Sequence, residues 1–225
     1  MSCCRSLLTV VMLLTLGSPR LALAQDVTAT LGVTRTMKST ILGEDRKVFV
    51  DLPTGYRDMM PVVARDYLGP PRAEAFLGFL EKELIPDIEK TYRTAQPRIL
   101  MGKSLSGLFT IYALLARPTA FTAYVGCSAG WFTENNQYFL DLSARAFQTV
   151  ESFANRRVFM ANSLHDQYDP DQAIHRQMIG FSELIKRNLG EAISYRYETY
   201  EDYPHVPFPC LYDGLRFVTM GQPTK

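Results

Sequence analysis

The chain has 225 residues, 47% hydrophobic and 21% charged, with 24 Lys and Arg against 23 Asp and Glu for a formal charge of +1. That length allows one domain with a sizeable core, and a balanced charge without a basic run excludes the electrostatic footprint of a nucleic-acid binder. The 14 glycines and 13 prolines are scattered and no heptad is sustained, which excludes collagen-like, coiled-coil and disordered classes.

Residues Met1 to Ala24 form the first recognisable element: Arg5 in a short n-region, an apolar run from Leu7 to Leu16, and the ending Ala22-Leu23-Ala24 before Gln25. This is the pattern of a cleaved secretory signal peptide. Its apolar run is shorter than the ~20 residues of a bilayer span, and Gly17-Ser18-Pro19-Arg20 interrupts it. The expected product is one secreted or periplasmic domain, residues 25–225, with no stable membrane span after cleavage and near-neutral once Arg5 and Arg20 are gone. Cys3 and Cys4 leave with the signal, whereas Cys127 and Cys210 stay in a compartment where disulfides persist. One bridge is permitted, yet a domain of this size needs no staple, and two small buried residues are the preferred reading. No cluster of Cys, His and acid has metal-ligand spacing, so no metal or organic cofactor is expected.

The chain then reads as β from Thr34 to Ile41 and from Arg46 to Leu52, where Val48, Val50 and Leu52 alternate, with a turn at Gly43-Glu44-Asp45. Pro53-Thr54-Gly55 ends the second strand. From Arg72 the period changes, and Phe76, Phe79, Leu80, Leu84, Ile85 and Ile88 make the apolar stripe of a helix expected to bend at Pro86. A short buried strand, Arg98 to Gly102, runs into a helix from Leu105 to Ala116 that Arg117-Pro118 terminates. Next come a strand at Ala123 to Cys127, an irregular stretch and a helix through Phe147, a strand at Arg157 to Ala161, and a helix from Asp171 to Leu189. A strand at Ile193 to Tyr200 and a helix from Leu211 to Met220 complete the chain. Strands alternating with helices imply an α/β fold: a mostly parallel sheet with helices on both faces, preceded by an antiparallel hairpin.

The most informative segment is Gly102-Lys103-Ser104-Leu105-Ser106, at a strand-to-helix junction. Small residues on either side of Ser104 permit the sharp turn that lifts a hydroxyl clear of the backbone. The helix that follows brings a positive dipole end, and the Leu105 amide lies where an oxyanion donor belongs. Ser106 replaces the usual second glycine of such an elbow, with Gly107 beside it; the plain alternative is a Ser104 helix cap. A serine needs a base, and only three histidines exist. His205 follows the last strand in a proline-rich loop on the rim that also carries Ser104, and is the chosen base. His165 is the runner-up, while His175 falls inside a helix. The chain order serine, acid, histidine places the acid after Ala161, where Asp166, Asp169 and Asp171 compete. Asp171 reads as the cap of the helix it begins and Asp169-Pro170 as a turn, which leaves Asp166.

Gly102 to Pro118, Ala123 to Trp131 and His205 to Arg216 resemble the putative esterase family, which includes enterochelin esterases and esterase D, within the α/β-hydrolases. The resemblance runs over most of the chain beyond the signal and implies Ser104 as nucleophile and His205 as base. Lys103 stands where that family often has histidine, and the loop after Ala161 does not match its usual glycine-containing turn. Two central strands are absent by this comparison, because Gly55-Tyr56 runs straight into Arg57 to Pro61, a segment that normally follows both. Their loss leaves an incomplete sheet with open edges, or forces a new pairing such as Val48 to Leu52 directly on Ile99 to Met101. It also removes the loop carrying the second oxyanion amide, a loss worth ~10²- to 10³-fold in rate.

The expected function is hydrolysis of a small-molecule carboxylic ester by a Ser104, His205 and Asp166 triad through an acyl-enzyme. The alternatives are a truncated, weak or inactive esterase-fold binding protein, and an acyltransferase using the same triad. Trp131, Phe132, Tyr138 and Phe139 are candidate pocket or core aromatics, and siderophore, carbohydrate and small acyl esters fit the pattern equally.

Overall fold

Val33–Ser39 (β1) and Glu44–Val50 (β2) pair antiparallel, with Val33 opposite Val50 and Ser39 opposite Glu44. The turn between them is Thr40 to Gly43, so Glu44 and Asp45 belong to the strand and not to the turn expected from sequence. Gly43 closes the loop at φ 69, where a side chain is disfavoured, and its amide donates to Ser39 O at 3.1 Å. Glu83 holds the other half: its carboxylate accepts from Ser39 Oγ at 2.5 Å, Thr40 Oγ1 at 2.5 Å, and the amides of Thr40 and Ile41 at 3.0 and 3.1 Å. The hydroxyl bonds from Ser39 and then Thr40 hold Glu83 below the usual carboxylate range. This computed structural model describes residues 33–50, 62–65, 73–129, 136–201, 203, 205 and 207–220. Residues 1–24, read above as a signal, together with Leu52 to Pro61, Arg72, Trp131 and Phe132, lie outside the described residues.

The helix expected from Arg72 is a rod of two α segments, Ala73–Phe79 (α1) and Ile85–Thr91 (α2), joined by a π turn at Leu80–Leu84. Pro86 donates no hydrogen bond and its ring crowds the carbonyl one turn back. The chain meets this by widening the turn before it, with the Ile85 amide donating to Leu80 O. The accommodation is therefore a π turn rather than a bend at Pro86. Phe76, Leu77, Phe79, Leu80 and Leu84 stay buried along the rod.

Val62–Arg65 (β3), Ile99–Lys103 (β4), Ala123–Cys127 (β5), Arg156–Ser163 (β6) and Ile193–Tyr200 (β7) form a five-stranded sheet in the order β3-β4-β5-β6-β7. All four neighbouring pairs are parallel. β3 was not expected, and it corrects the suggested pairing of β2 with β4. Val62 lies opposite Ile99 and Arg65 opposite Gly102, while β1 and β2 form a separate two-stranded sheet. An open edge on a buried strand strands its N–H and C=O groups, and even four residues relieve that cost.

The helices Leu105–Ala116 (α3), Asn136–Ala146 (α4), Ala173–Leu189 (α5) and Phe208–Met220 (α6) enclose this sheet. Along β4 to β6 alternate side chains enter two different cores. Leu100, Tyr124, Val158 and Met160 pack with α1, α3 and α5, whereas Ile99, Met101, Val125 and Phe159 pack under α6. α6 starts at Phe208, ahead of the expected Leu211, because Pro209 in a first turn forfeits no helical hydrogen bond. Gly214 lets α6 settle on the sheet, since a Cβ there would press into Val125 and Phe159. The same approach brings Cys127, at the end of β5, to Cys210, in the first turn of α6. The two form a disulfide with a Cα–Cα distance of 6.2 Å, which replaces the preferred reading of unpaired buried cysteines.

Candidate active site

β4 delivers the chain to Ser104 at the carboxyl edge of the sheet, and α3 carries it away. Between them Ser104 adopts φ 53 and ψ −124, a conformation that L-residues avoid and that needs support from its surroundings. Its amide donates to Cys127 O at 2.9 Å and its carbonyl accepts from the Leu108 amide at 3.0 Å. Ser106 closes the elbow from within: its hydroxyl accepts from the Lys103 amide at 3.0 Å and donates to Lys103 O at 2.8 Å. A serine can therefore stand where a glycine is usual. Glycine is required at two other positions. A Cβ on Gly107 would sit 2.7 Å from Cys127 O, and one on Gly102 would collide with the Ser106 carbonyl and lie 2.7 Å from Thr110 Oγ1. Gly102→Ala is expected to destabilise the protein by about 1–3 kcal/mol, read as a lowered urea midpoint, because its main obstacle is backbone rather than a movable side chain.

Leu105 is the first residue of α3, so its amide has no acceptor one turn back within the helix. Lys103 is exposed on the same rim.

His205 follows β7, and its loop is stitched to the end of β6. The Leu164 amide donates to Tyr200 O at 2.9 Å, the Ser163 hydroxyl donates to Tyr203 O, and Tyr200 and Tyr203 meet edge to face. Tyr200 also donates to Asp213 Oδ2 on α6 at 2.7 Å. Burial and this partner raise the Tyr200 phenol well above its ordinary value, so it remains a donor. The outcome is a line of three side chains. His205 Nε2 lies 2.9 Å from Ser104 Oγ, and His205 Nδ1 lies 2.5 Å from Asp166 Oδ2. With the proton on Nδ1, the imidazole donates to Asp166 and accepts from the Ser104 hydroxyl. Asp166 is 6% exposed, and its second oxygen accepts the Tyr168 amide at 2.8 Å.

The other candidates are drawn elsewhere. Asp169, read from sequence as part of a turn, caps α5 through both oxygens, accepting the Ile174 and His175 amides at 2.9 Å each. Asp171, expected to be that cap, is exposed; its carboxylate meets the Ala173 amide at 3.4 Å, and its main-chain carbonyl accepts from Arg176 Nη1 at 2.7 Å. Gln172, with φ 56, turns the chain so that the carboxylate further back reaches the free amides. His165 is exposed, and no bond joins it to Ser104. His175 is buried in the first turn of α5, where desolvation lowers its pKa and leaves Nδ1 without a partner. Phe139 belongs to the core, and Tyr138 is exposed beside it. Among the described residues no group of His, Cys, Asp and Glu could hold a metal ion. Tyr168 went unnoticed in the sequence, where an aromatic two residues beyond an aspartate carries no signal.

A family model described as "Putative esterase" matches residues 60–201. The chain belongs to this esterase family. It is 42% identical over 57 residues to the ferri-bacillibactin esterase BesA of Bacillus subtilis (strain 168), a match spanning 25% of this chain and only 20% of that relative's length. Among solved structures, an IroE-like serine hydrolase from Shewanella oneidensis superposes with a TM-score of 0.69 at 20% identity, over 82% of this chain and 79% of that one. The BES protein from Bacillus cereus gives 0.54 at 25% identity, over 65% and 55%. The siderophore hydrolase EstA from Aspergillus nidulans gives 0.54 at 22%, over 67% and 58%. The esterase-family chain therefore shares the fold of these proteins, with its parallel sheet, flanking helices and N-terminal hairpin.

Proposed function

We propose that this esterase-family chain is a secreted serine hydrolase that cleaves small-molecule carboxylic esters through an acyl-enzyme. The observation that carries the reading is the line from Asp166 Oδ2 through His205 to Ser104 Oγ, at 2.5 and 2.9 Å, ending on a serine in a strained backbone conformation. In the proposed mechanism Ser104 Oγ attacks the ester carbonyl as its proton passes to His205 Nε2. The Leu105 amide donates to the developing oxyanion, and Asp166 stabilises the imidazolium. The imidazolium returns the proton to the departing alkoxide. Water, deprotonated by His205, then attacks the acyl-serine, and as the intermediate collapses the imidazolium returns that proton to Ser104 Oγ and the acid is freed.

Secretion rests on the signal-like pattern of residues 1–24, and the Cys127–Cys210 bridge is in keeping with an oxidising compartment. Among the described residues no helix is long and apolar enough to cross a membrane. One relative is named a ferri-bacillibactin esterase and one structural neighbour a siderophore hydrolase, which makes siderophore esters the first class to assay after simple nitrophenyl esters. The family resemblance implies loss of the loop that carries a second oxyanion amide, and slow turnover is the outcome expected from that loss.

Covalent labelling tests it. A fluorophosphonate is expected to modify one residue, Ser104, located by peptide mass, and nitrophenyl acetate to be hydrolysed at a rate the probe abolishes. Folded protein that neither labels at Ser104 nor hydrolyses the ester would refute a serine hydrolase and favour a binding role.

A further inference from the structure

The loop that supplies Asp166 also places an aromatic ring on His205. Tyr168 and the imidazole meet edge to face, with ring centroids 4.9 Å apart and planes at 83°. Core packing does not explain this placement, because Tyr168 is 68% exposed. Local hydrogen bonding does. The Asp169 amide donates to Asp166 O at 2.9 Å and closes a tight turn over residues 166–169, and within that turn the Tyr168 amide donates to Asp166 Oδ1 at 2.8 Å. Asp169 then anchors the turn to the start of α5. One residue thus touches both partners of the proton relay: its main chain occupies one carboxylate oxygen, leaving Oδ2 for His205, and its side chain flanks the imidazole.

We propose that Tyr168 is a positioning residue, whose ring holds the His205 imidazole in line between Asp166 and Ser104. This rests on the serine hydrolase reading above. The physical need comes from the imidazolium itself. Once Ser104 has given up its proton, the charged ring gains by turning toward water, and every departure from the line breaks the bond to Asp166 or misdirects the proton meant for the leaving group. A neighbouring aromatic ring in edge-to-face contact resists that rotation by occupying the space into which the imidazole would turn.

The test separates ring, hydroxyl and main chain. Tyr168→Ala keeps the amide that holds Asp166 and removes only the ring, and Tyr168→Phe removes only the hydroxyl. On nitrophenyl acetate, Tyr168→Ala is expected to lower kcat about 3- to 10-fold with KM unchanged, and Tyr168→Phe to retain wild-type kcat. In proton NMR, the downfield signal of the His205 Nδ1 proton shared with Asp166 is expected to broaden or vanish in Tyr168→Ala and to persist in Tyr168→Phe. An unchanged kcat and signal in Tyr168→Ala would overturn the proposal, as would an effect confined to KM or an equal loss in Tyr168→Phe. Should the wild-type protein hydrolyse nothing, the hydrolase reading fails by itself, and the NMR comparison still decides whether the ring positions the imidazole.

Discussion

Asp166→Asn is expected to lower kcat on nitrophenyl acetate about 10⁴-fold while the protein stays folded. The amide is the same size, and its oxygen can still accept from the Tyr168 main chain. That arrangement turns an NH₂ toward His205 Nδ1, which then has to accept; the proton moves to Nε2, and the nitrogen facing Ser104 Oγ can no longer take one. Asp169→Ala is expected to do the opposite. It strips the two α5 amides of their acceptor and costs about 1–2 kcal/mol of stability, seen in the urea midpoint, with much smaller effects on kcat. Asp171→Ala is expected to change neither. If Asp169→Ala or Asp171→Ala abolished turnover while Asp166→Asn retained it, the assignment of the acid would be wrong.

Removing the Cys127–Cys210 bridge is expected to cost about 2–5 kcal/mol, since it closes a sequence separation of 83 residues. The consequence extends to the site. Cys127 supplies the carbonyl that holds the Ser104 amide, and Cys210 lies in the first turn of the helix that follows the His205 loop, so the bridge ties the support of Ser104 to that of His205. The Cys127→Ala, Cys210→Ala double variant should unfold at lower urea and hydrolyse more slowly. Wild-type protein reduced in denaturant and refolded with reductant should match it. Both residues are 0% exposed, so reductant added to the folded protein should act only as fast as the site opens. Equal stability of the reduced and oxidised proteins, with both thiols shown to be free, would remove the bridge from this account.

Much of the site was legible along the chain because its chemistry is local. Gly102, Ser104, Leu105 and Gly107 make one strand-to-helix turn whose sterics follow from adjacent residues, and a proline-rich loop after a late strand pointed to His205. Ser106 looked like a departure because its role, a hydroxyl bonded to both polar main-chain groups of Lys103, shows only in the folded turn. The exchange of roles between Asp169 and Asp171 has a similar origin. The residue nearest a helix start is the natural cap, yet the left-handed Gln172 redirects the chain so that the more distant carboxylate reaches the free amides. β3 was missed because four residues show too little alternation, and only the open edge of β4 makes them a strand.

The amino-acid sequence by itself determined the α/β architecture and the strand-to-helix turn at Ser104, and it nominated His205, since periodicity, turn sterics and the scarcity of histidine act over short stretches. Tertiary structure alone decided which of three aspartates faces His205, that Cys127 and Cys210 join, what pairs with β4, and that Tyr168 lies against the imidazole. Each of these depends on the approach of segments far apart in the chain or on how a loop turns in three dimensions. Such distances are set by the packing of the sheet between its helices and leave no trace in residue spacing.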